Sequence, residues 1–282
     1  MNSDTPGDRP LTGRTLLMSG GSRGIGLAIA TAAAKAGADI AFIAKTDTPD
    51  PRLPGTVHTA AAAIEEAGGR APLAIVGDIR DEESIDRAVA ATVDRFGGID
   101  IVVNNASAIS VDGYGALSLK RFDLMADINV RGTFALMSKS LPYLKMSPDP
   151  RVLSLSPPLN LDPIWLKEHA PYTASKYAMT ILTLGMAEQF REEGMSASCL
   201  WPKTFISTAA VENILTPGGK STARRPGIMA DAAMSVFTSD AEESNGRCFL
   251  DEEVLRSAGM TDFSAYLNPG GTESDLQPDL FV

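Results

Sequence analysis

The stretch Ser19-Gly20-Gly21-Ser22-Arg23-Gly24-Ile25-Gly26 decides the fold of this chain. It follows a short apolar run, Thr15 to Met18, and precedes an alanine-rich segment that ends at Gly37. This order predicts a strand, a glycine turn and a helix, the context in which such a pattern is informative. Glycines let the backbone approach a ligand closely, and the first N–H groups of a helix attract an anion. The turn is therefore predicted to hold a pyrophosphate, the alternative being a glycine-rich turn without a ligand.

The composition indicates a sizeable core and an acidic surface. The 282 residues are 44% hydrophobic, and the formal net charge is −10 at pH 7. A net negative charge argues against nucleic acid or an anionic membrane as a partner. Two cysteines support neither a disulfide framework nor a zinc site, so we predict no metal and a reducing, cytoplasmic location. No apolar run approaches the length of a membrane span, and the stretch after Met1 does not resemble a secretory signal.

Apolar runs alternate with helical segments along most of the chain. We predict strands at 15–18, 39–44, 73–78, 99–103, 151–156, 195–201 and 247–250. After the first helix, further helices are predicted at 59–67, 81–96, 119–145, 172–193 and 227–237. This alternation predicts an α/β fold, a Rossmann-type doubly wound parallel sheet of about seven strands with helices on both faces, in a single domain.

The domain boundaries follow from composition and from breaks in the periodicity. We predict a flexible N-terminus at 1–12, a dinucleotide-binding catalytic domain at 13–251, and a C-terminal extension at 252–282 that packs on the same domain. Residues 203–225 have little periodicity and are predicted to form a lid-like loop.

Two cations lie where a Rossmann-type fold meets the adenosine ribose. Lys45 ends the second strand, and Arg23 stands in the glycine turn. An acidic residue there would bind a free 2′-hydroxyl, whereas two positive charges suit a 2′-phosphate. NADP(H) is therefore favoured over NAD(H), the alternative being two ordinary solvated cations. Asp78, at the end of the third strand, either accepts a hydrogen bond from the adenine amino group or begins the turn into the next helix.

Polar residues recur in the second half of the predicted sheet. Asn104-Asn105-Ala106-Ser107 follows the fourth strand and either lies beside a cofactor or makes a turn. Asn129 interrupts a helical stretch, where it has a local hydrogen-bonding task or faces solvent. Tyr172 and Lys176 are four residues apart on a helix, so they share a face and can act on one ligand.

These motifs together resemble the short-chain dehydrogenase/reductase family. The glycine-rich turn, the Asn-Asn-Ala segment at 104–106 and the Tyr172-x-x-x-Lys176 helix occur in the family's order, within about Thr12 to Val236. The resemblance implies an NADP(H)-dependent oxidoreductase that interconverts an alcohol and a carbonyl on a small or lipid-like substrate. It also implies a homodimer or homotetramer, paired through the helices at 119–145 and 172–193. Some relatives add a sterol-carrier domain at the C-terminus, which we do not expect in this chain.

The resemblance further implies a catalytic tetrad of Asn129, Ser156, Tyr172 and Lys176. Tyr172 would exchange a proton with the substrate oxygen, and Lys176 would stabilise the phenolate and hold the nicotinamide ribose. Ser156 would orient the substrate oxygen, and Asn129 would hold a water against Lys176. Because Ser156 is farther from Tyr172 than usual and precedes a proline, Ser154 stays open as the third member. The implied cofactor-binding residues are Gly20, Ser22, Arg23, Gly24, Ile25, Gly26, Lys45, Asp78, Ile79, Asn105, Ala106, Tyr172, Lys176, Pro202, Thr204, Ile206 and Thr208.

A rival from another class is a non-catalytic NADP(H)-binding sensor or scaffold protein. The altered region around Ser156 motivates it, and the presence of both Tyr172 and Lys176 argues against it. A methyltransferase on the same fold would leave the Tyr-x-x-x-Lys helix without a role.

Overall fold

Seven parallel strands form the centre of the molecule. They are β1 (Thr15–Ser19), β2 (Asp39–Ala44), β3 (Leu73–Val76), β4 (Ile101–Asn104), β5 (Arg151–Ser154), β6 (Ser196–Trp201) and β7 (Cys248–Leu250). In the computed structural model, which describes residues 9–50, 54–209, 211 and 220–282, the sheet order is β3-β2-β1-β4-β5-β6-β7. Each neighbouring pair is parallel. The predicted Rossmann-type sheet is confirmed.

Helices cover both faces of this sheet. They are α1 (Gly24–Lys35), α2 (Val57–Gly68), α3 (Glu82–Phe96), α4 (Leu119–Met125), α5 (Thr133–Leu144), α6 (Pro163–Gln189), α7 (Gly227–Thr238), α8 (Ala241–Ser244) and α9 (Asp251–Ser257). Because successive strand side chains point to opposite faces, Leu16 packs in the core beneath α1, α2, α7 and α9, and Leu17 in the core beneath α3, α5 and α6. In the described part of the chain, no helix is both long enough and apolar enough to cross a membrane.

The predicted helix at 119–145 is wrong in its middle. A π-helical turn, Ala126–Gly132, separates α4 from α5. Two features accompany the wider turn. Gly132 lies so close to Ile79 that a Cβ there would meet it at 3.0 Å, and the buried Asn129 side chain hydrogen-bonds outside its own helix. Such turns re-aim side chains and often occur at functional sites.

The predicted start of the next helix at Tyr172 is also wrong. Helix α6 begins at Pro163, where Asp162 accepts a hydrogen bond from the Ile164 N–H (3.0 Å), so the helix starts nine residues before the predicted position. The backbone leaves helical geometry at His169, two residues before Pro171. A proline cannot donate a helical hydrogen bond and restricts the residue before it, which explains the kink.

Strands β3 and β5 end two residues earlier than predicted. The Ser156 N–H bonds to the Ser154 carbonyl (2.9 Å) and turns the chain out of the sheet before Pro157, while Gly77 and Asp78 follow β3 as part of a turn. Helix α6 ends at Gln189, four residues before the predicted end, and a 3-10 turn at Arg191–Glu193 follows it. The other ends differ from the prediction by at most two residues, as element ends commonly do.

Parts of two predicted segments lie outside the described residues: 1–8 of the N-terminus, and 210 with 212–219 of the lid-like loop. Leu11 is fully buried against α1, with its N–H bonded to the Ala36 carbonyl (2.9 Å). The first part of the loop is tied to the C-terminal extension, since the Phe205 N–H bonds to the Gln277 carbonyl (3.0 Å).

Candidate active site

One row of residues crosses the sheet at the carboxyl ends of its strands. Ser19, Asn104, Ser154, Cys199 and Cys248 are neighbours in register along this row. Ligands of open α/β sheets bind in the crevice just beyond this edge. The register therefore brings the glycine turn, the Asn-Asn-Ala segment and the end of β5 to one side of the molecule.

Two glycines build the cradle at the start of α1. Gly20 has φ +76°, and a Cβ there would lie 2.8 Å from the Asn105 amide nitrogen. A Cβ on Gly26 would lie 2.4 Å from the Gly20 carbonyl oxygen, so Gly26 does not line the cleft but allows α1 to pack against the turn. Asn105 fixes the turn by donating to the Gly20 carbonyl (2.8 Å). This cradle leaves room for a pyrophosphate against the backbone, as a dinucleotide requires.

A cleft of about 1430 Å³ extends from this cradle along the sheet edge. The predicted cofactor-binding residues that line it are Gly20, Ser22, Arg23, Gly24, Ile25, Lys45, Asp78, Ile79, Asn105, Ala106, Tyr172, Lys176, Pro202, Ile206 and Thr208. Thr204 is an exception: it pairs with Pro278 in a short antiparallel bridge and lines a second cavity. Thr204 therefore lies outside the lining of the cofactor cleft, and its role in cofactor binding stays a prediction.

The adenosine end of the cleft carries linked charges. Lys45 lies 3.1 Å from Asp78, and Arg80 lies 2.6 Å from the same carboxylate. Burial opposes ionisation of Asp78, but hydrogen bonds from Arg80 and Lys45 hold its pKa well below its usual value. Asp78 also accepts from the Arg80 N–H (3.0 Å), so it does begin a turn. Arg23 donates to Thr46 and Gly55 and thereby fixes the outer wall of the cleft.

Tyr172 and Lys176 lie at the other end of the cleft, and both are buried, with 4% and 2% exposure. The Lys176 ammonium donates to the Leu155 carbonyl (2.6 Å) and lies 5.1 Å from the centre of the Trp201 ring. Burial lowers the pKa of Lys176 to about 7, an effect that Asp279 partly opposes. Burial, reinforced by Asp279, raises the pKa of Tyr172 above its ordinary value.

Asn129 is fully buried, so the solvent-facing alternative for it is wrong. Its amide oxygen accepts from the Ala108 N–H (2.8 Å), and its nitrogen donates to the Ala108 carbonyl (2.9 Å) and to Ser175 Oγ (3.0 Å). Asn129 thus joins the segment after β4 to the turn of α6 between Tyr172 and Lys176.

The two candidate serines have different surroundings. Ser154 Oγ accepts hydrogen bonds from Asn104 (3.1 Å) and Thr183 (2.7 Å), so it is held within the sheet. Ser156 Oγ lies beside the Cys199 thiol and is buried without a hydrogen-bond partner. Neither side chain lines the cleft as it stands, because Leu155 lies between them and faces it.

Residues 277–282, which we call the C-terminal strap, form part of the site that sequence reasoning missed. The strap runs along the segment after β6: the Asp279 N–H bonds to the Lys203 carbonyl (3.1 Å), and Trp201 Nε1 donates to the Leu280 carbonyl (2.8 Å). Asp279 and Leu280 therefore line the cleft beside Tyr172. The apolar ending Leu280-Phe281-Val282 of an otherwise polar extension was the available sign.

Phe281 is the centre of an aromatic cluster at the same place. Its ring centroid lies 5.6 Å from Trp165, 6.1 Å from Tyr172, 5.4 Å from Tyr177 and 5.9 Å from Trp201. Phe281 is 1% exposed, and among the described residues it is the one non-glycine with a positive φ, at 76°. The strap therefore covers the side of Tyr172 that faces away from the cofactor cleft.

A family model described as short chain dehydrogenase matches residues 14–217. The chain belongs to the short-chain dehydrogenase/reductase family. Members are oxidoreductases that bind a nicotinamide cofactor and act on small molecules, and the glycine cradle and cleft described above fit such a cofactor.

Similar proteins extend the likeness beyond the matched residues. Hydroxysteroid dehydrogenase-like protein 2 of Pongo abelii is 47% identical over 98% of this chain, and that of Homo sapiens is 46% identical over the same share. The chain spans 65% of the length of each of these two relatives. A solved structure from Xanthomonas campestris is 48% identical and superposes with a TM-score of 0.91, covering 96% of this chain and 98% of its own. A short chain dehydrogenase of Mycobacterium thermoresistibile is 48% identical with a TM-score of 0.89, covering 96% of both chains.

Proposed function

We propose that this protein is an NADP(H)-dependent oxidoreductase that interconverts an alcohol and a carbonyl on a small or lipid-like substrate, with Tyr172 as general acid/base. The observation that carries the proposal is the placement of Tyr172 and Lys176, buried together in the wall of a cleft that begins at the glycine cradle. A phenol and a cation at the nicotinamide end are the groups that proton transfer to a carbonyl oxygen needs.

Tyr172 and Lys176 have separate roles in the proposed reaction. NADP(H), when bound, supplies or accepts the hydride. The phenol of Tyr172 is protonated at neutral pH and can donate a proton to a carbonyl oxygen, although burial raises its pKa and so opposes loss of that proton. The Leu155 carbonyl holds the Lys176 ammonium in place, where it stabilises the phenolate left after transfer.

The third role is proposed for Ser156. Its buried hydroxyl makes no hydrogen bond and would donate to the substrate oxygen once it turned toward the cleft, whereas Ser154 is already engaged with Asn104 and Thr183. Asn129 would position the cofactor side of α6 through its hydrogen bond to Ser175. We also propose that Asn129 holds a water against Lys176.

The preference for NADP(H) rests on Lys45 and Arg23 at the adenosine end. Both line the cleft, and Lys45 is 60% exposed, so it is available to a 2′-phosphate even while it pairs with Asp78. Lys45→Asp is expected to weaken NADPH binding by about tenfold or more, since it replaces one attraction by a repulsion, and to leave NADH nearly unchanged. Dissociation constants from NADPH and NADH fluorescence titrations measure this.

A matched control for that variant is Lys120→Asp, which makes the same charge change at an exposed position on α4. It should change neither constant. Equal constants for NADPH and NADH in the unaltered protein would contradict the cofactor assignment.

We also propose a homodimer or homotetramer. Phe122 on α4, Phe134 on α5 and Ile181 on α6 are 44%, 57% and 59% exposed, an apolar surface on the two helical stretches that the family resemblance predicted to pair. Sedimentation at micromolar concentration should give a mass of at least two chains, and a monomer would be evidence against it.

The thiols of Cys199 and Cys248, free although they lie in register on adjacent strands, support the proposal of a reducing compartment such as the cytoplasm.

A further inference from the structure

A second cavity of about 760 Å³ lies on the far side of the strap from the cofactor cleft. Its apolar lining includes Leu159, Leu161, Leu250, Leu276, Phe281 and Val282. A cavity of this size and lining is typical of a site for an apolar ligand.

The charged residues at this cavity pair with one another. Glu252 binds Lys203 (2.9 Å) and Arg224 (2.9 Å), and Glu273 also binds Arg224 (2.6 Å). Arg224 Nε and Nη1 and Thr204 Oγ1 are buried there without a hydrogen-bond partner. Because the lining cations Lys203 and Arg224 balance the carboxylates of Glu252 and Glu273, the cavity favours an uncharged ligand.

Phe281 separates this cavity from Tyr172. Its ring stacks on the Tyr172 ring and lines the second cavity, while the preceding residues Asp279 and Leu280 line the cofactor cleft. The two spaces therefore meet at the aromatic cluster, and one side chain closes the passage between them.

Opening this passage would let a substrate chain in the second cavity reach Tyr172, which also lines the cofactor cleft. A substrate oxygen must come within about 3 Å of the Tyr172 hydroxyl. Tyr172 is 4% exposed and Ser156 Oγ has no surface open to water, so both groups are covered as the strap lies. The positive φ of Phe281 is a strained conformation for a residue with a Cβ, which makes the strap's hold on the cluster easier to release.

We propose that Phe281 is a gate between the cofactor cleft and the second cavity, and that the second cavity holds the apolar part of an uncharged aliphatic alcohol or ketone. The inference rests on the proposed function, because it takes Tyr172 as the group that the substrate oxygen must reach. Displacement of the phenyl ring joins the two spaces, so the chain of the substrate lies among the leucines while its oxygen meets Tyr172.

The test measures binding of 2-alkanones of 4 to 12 carbons to the NADPH complex. Both tryptophans of the chain, Trp165 and Trp201, contact Phe281, so their fluorescence reports movement of the ring. In the unaltered protein the dissociation constant should fall by about fourfold for each added methylene while the cavity has room. Phe281→Ala should bind 2-dodecanone about tenfold more tightly, because no ring has to be displaced.

Two further variants locate the bound chain. Leu276→Asp puts a charge in the second cavity and should weaken 2-dodecanone binding by about tenfold or more while sparing 2-butanone. Met146→Asp, at a position 69% exposed just beyond the end of α5, introduces a carboxylate elsewhere and should alter neither. Phe190→Ala, which removes a buried phenyl at the end of α6, controls for general loosening. Phe281→Leu offers a smaller truncation for the same comparison if Phe281→Ala does not fold.

The outcomes separate the gate from the reaction. Unchanged 2-dodecanone binding in both Phe281→Ala and Leu276→Asp, or no alkanone binding to any variant, would overturn the gate. Binding through the second cavity without NADPH-dependent reduction of any ketone would leave the gate standing and count against the proposed function. Reduction of ketones that neither Phe281→Ala nor Leu276→Asp affects would support the proposed function and count against the gate.

Discussion

Tyr172→Phe is expected to reduce turnover by at least about 100-fold, the lower range for loss of a general acid, while NADPH binding stays nearly unchanged. The variant removes only the hydroxyl. Its ring would keep the packing against Phe281, and Lys176 would keep its bond to the Leu155 carbonyl. Steady-state rates on a ketone shown to be a substrate, together with NADPH titrations, measure the two effects separately.

Lys176→Ala is the informative companion to that variant. It should lower turnover and also weaken NADPH binding, because Lys176 is proposed to hold the ribose as well as to stabilise the phenolate. Full turnover in Tyr172→Phe on a confirmed substrate would exclude this mechanism even with the fold and cofactor correct.

Asp279→Asn is expected to stabilise the protein above pH 7. Burial raises the pKa of Asp279 from its ordinary 3.8 to about 7, although the Leu280 N–H and Lys176 favour the carboxylate. Between about pH 4 and pH 7 the folded chain holds this proton more tightly than the unfolded chain does, so the free energy of unfolding falls as pH rises. At about 1.4 kcal/mol per pH unit, the amide would recover on the order of 3 kcal/mol at pH 8 and almost nothing at pH 4.

Thermal unfolding from pH 4 to pH 8 tests this prediction. A gain on that scale corresponds to several degrees in Tm for a chain of this size. Asp275→Asn is a control of opposite sign in the same extension: hydrogen bonds from Thr272 lower the pKa of the exposed Asp275, so its amide should give no gain at high pH. A stability difference between Asp279→Asn and the unaltered protein that is the same at pH 4 and pH 8 would show that Asp279 does not titrate in this way.

The parts of the fold that the sequence predicts are those determined by local pattern. Buried parallel strands appear as continuous apolar runs such as Asp39–Ala44, and the glycine turn indicates both the strand before it and the helix after it. Thirteen of the predicted cofactor-binding residues line one cleft because they follow strand ends, and parallel strands end at one edge. Tyr172 and Lys176 meet there because they share a helix face.

The features that escaped prediction depend on contacts between distant segments. The π-helical turn places Asn129 against Ala108, and nothing in the residues near Asn129 specifies that partner. Thr204 pairs with Pro278 and lies outside the lining of the cofactor cleft. Trp165 packs on Phe281, which lies 116 residues later in the chain. Pairings over such separations have no periodic pattern to reveal them.

The strap also bears on the order in which the fold forms. Phe281 bonds through its carbonyl to Asn160, 121 residues earlier, and the Leu280 carbonyl bonds to Trp201, 79 residues earlier. Contacts of that range form late, because the chain must first close large loops. Until residues 277–282 dock, the faces of Trp165, Tyr177 and Trp201 that pack on Phe281 lack this cover. A chain whose strap is not docked thus displays an apolar patch of the kind that chaperones and proteases recognise.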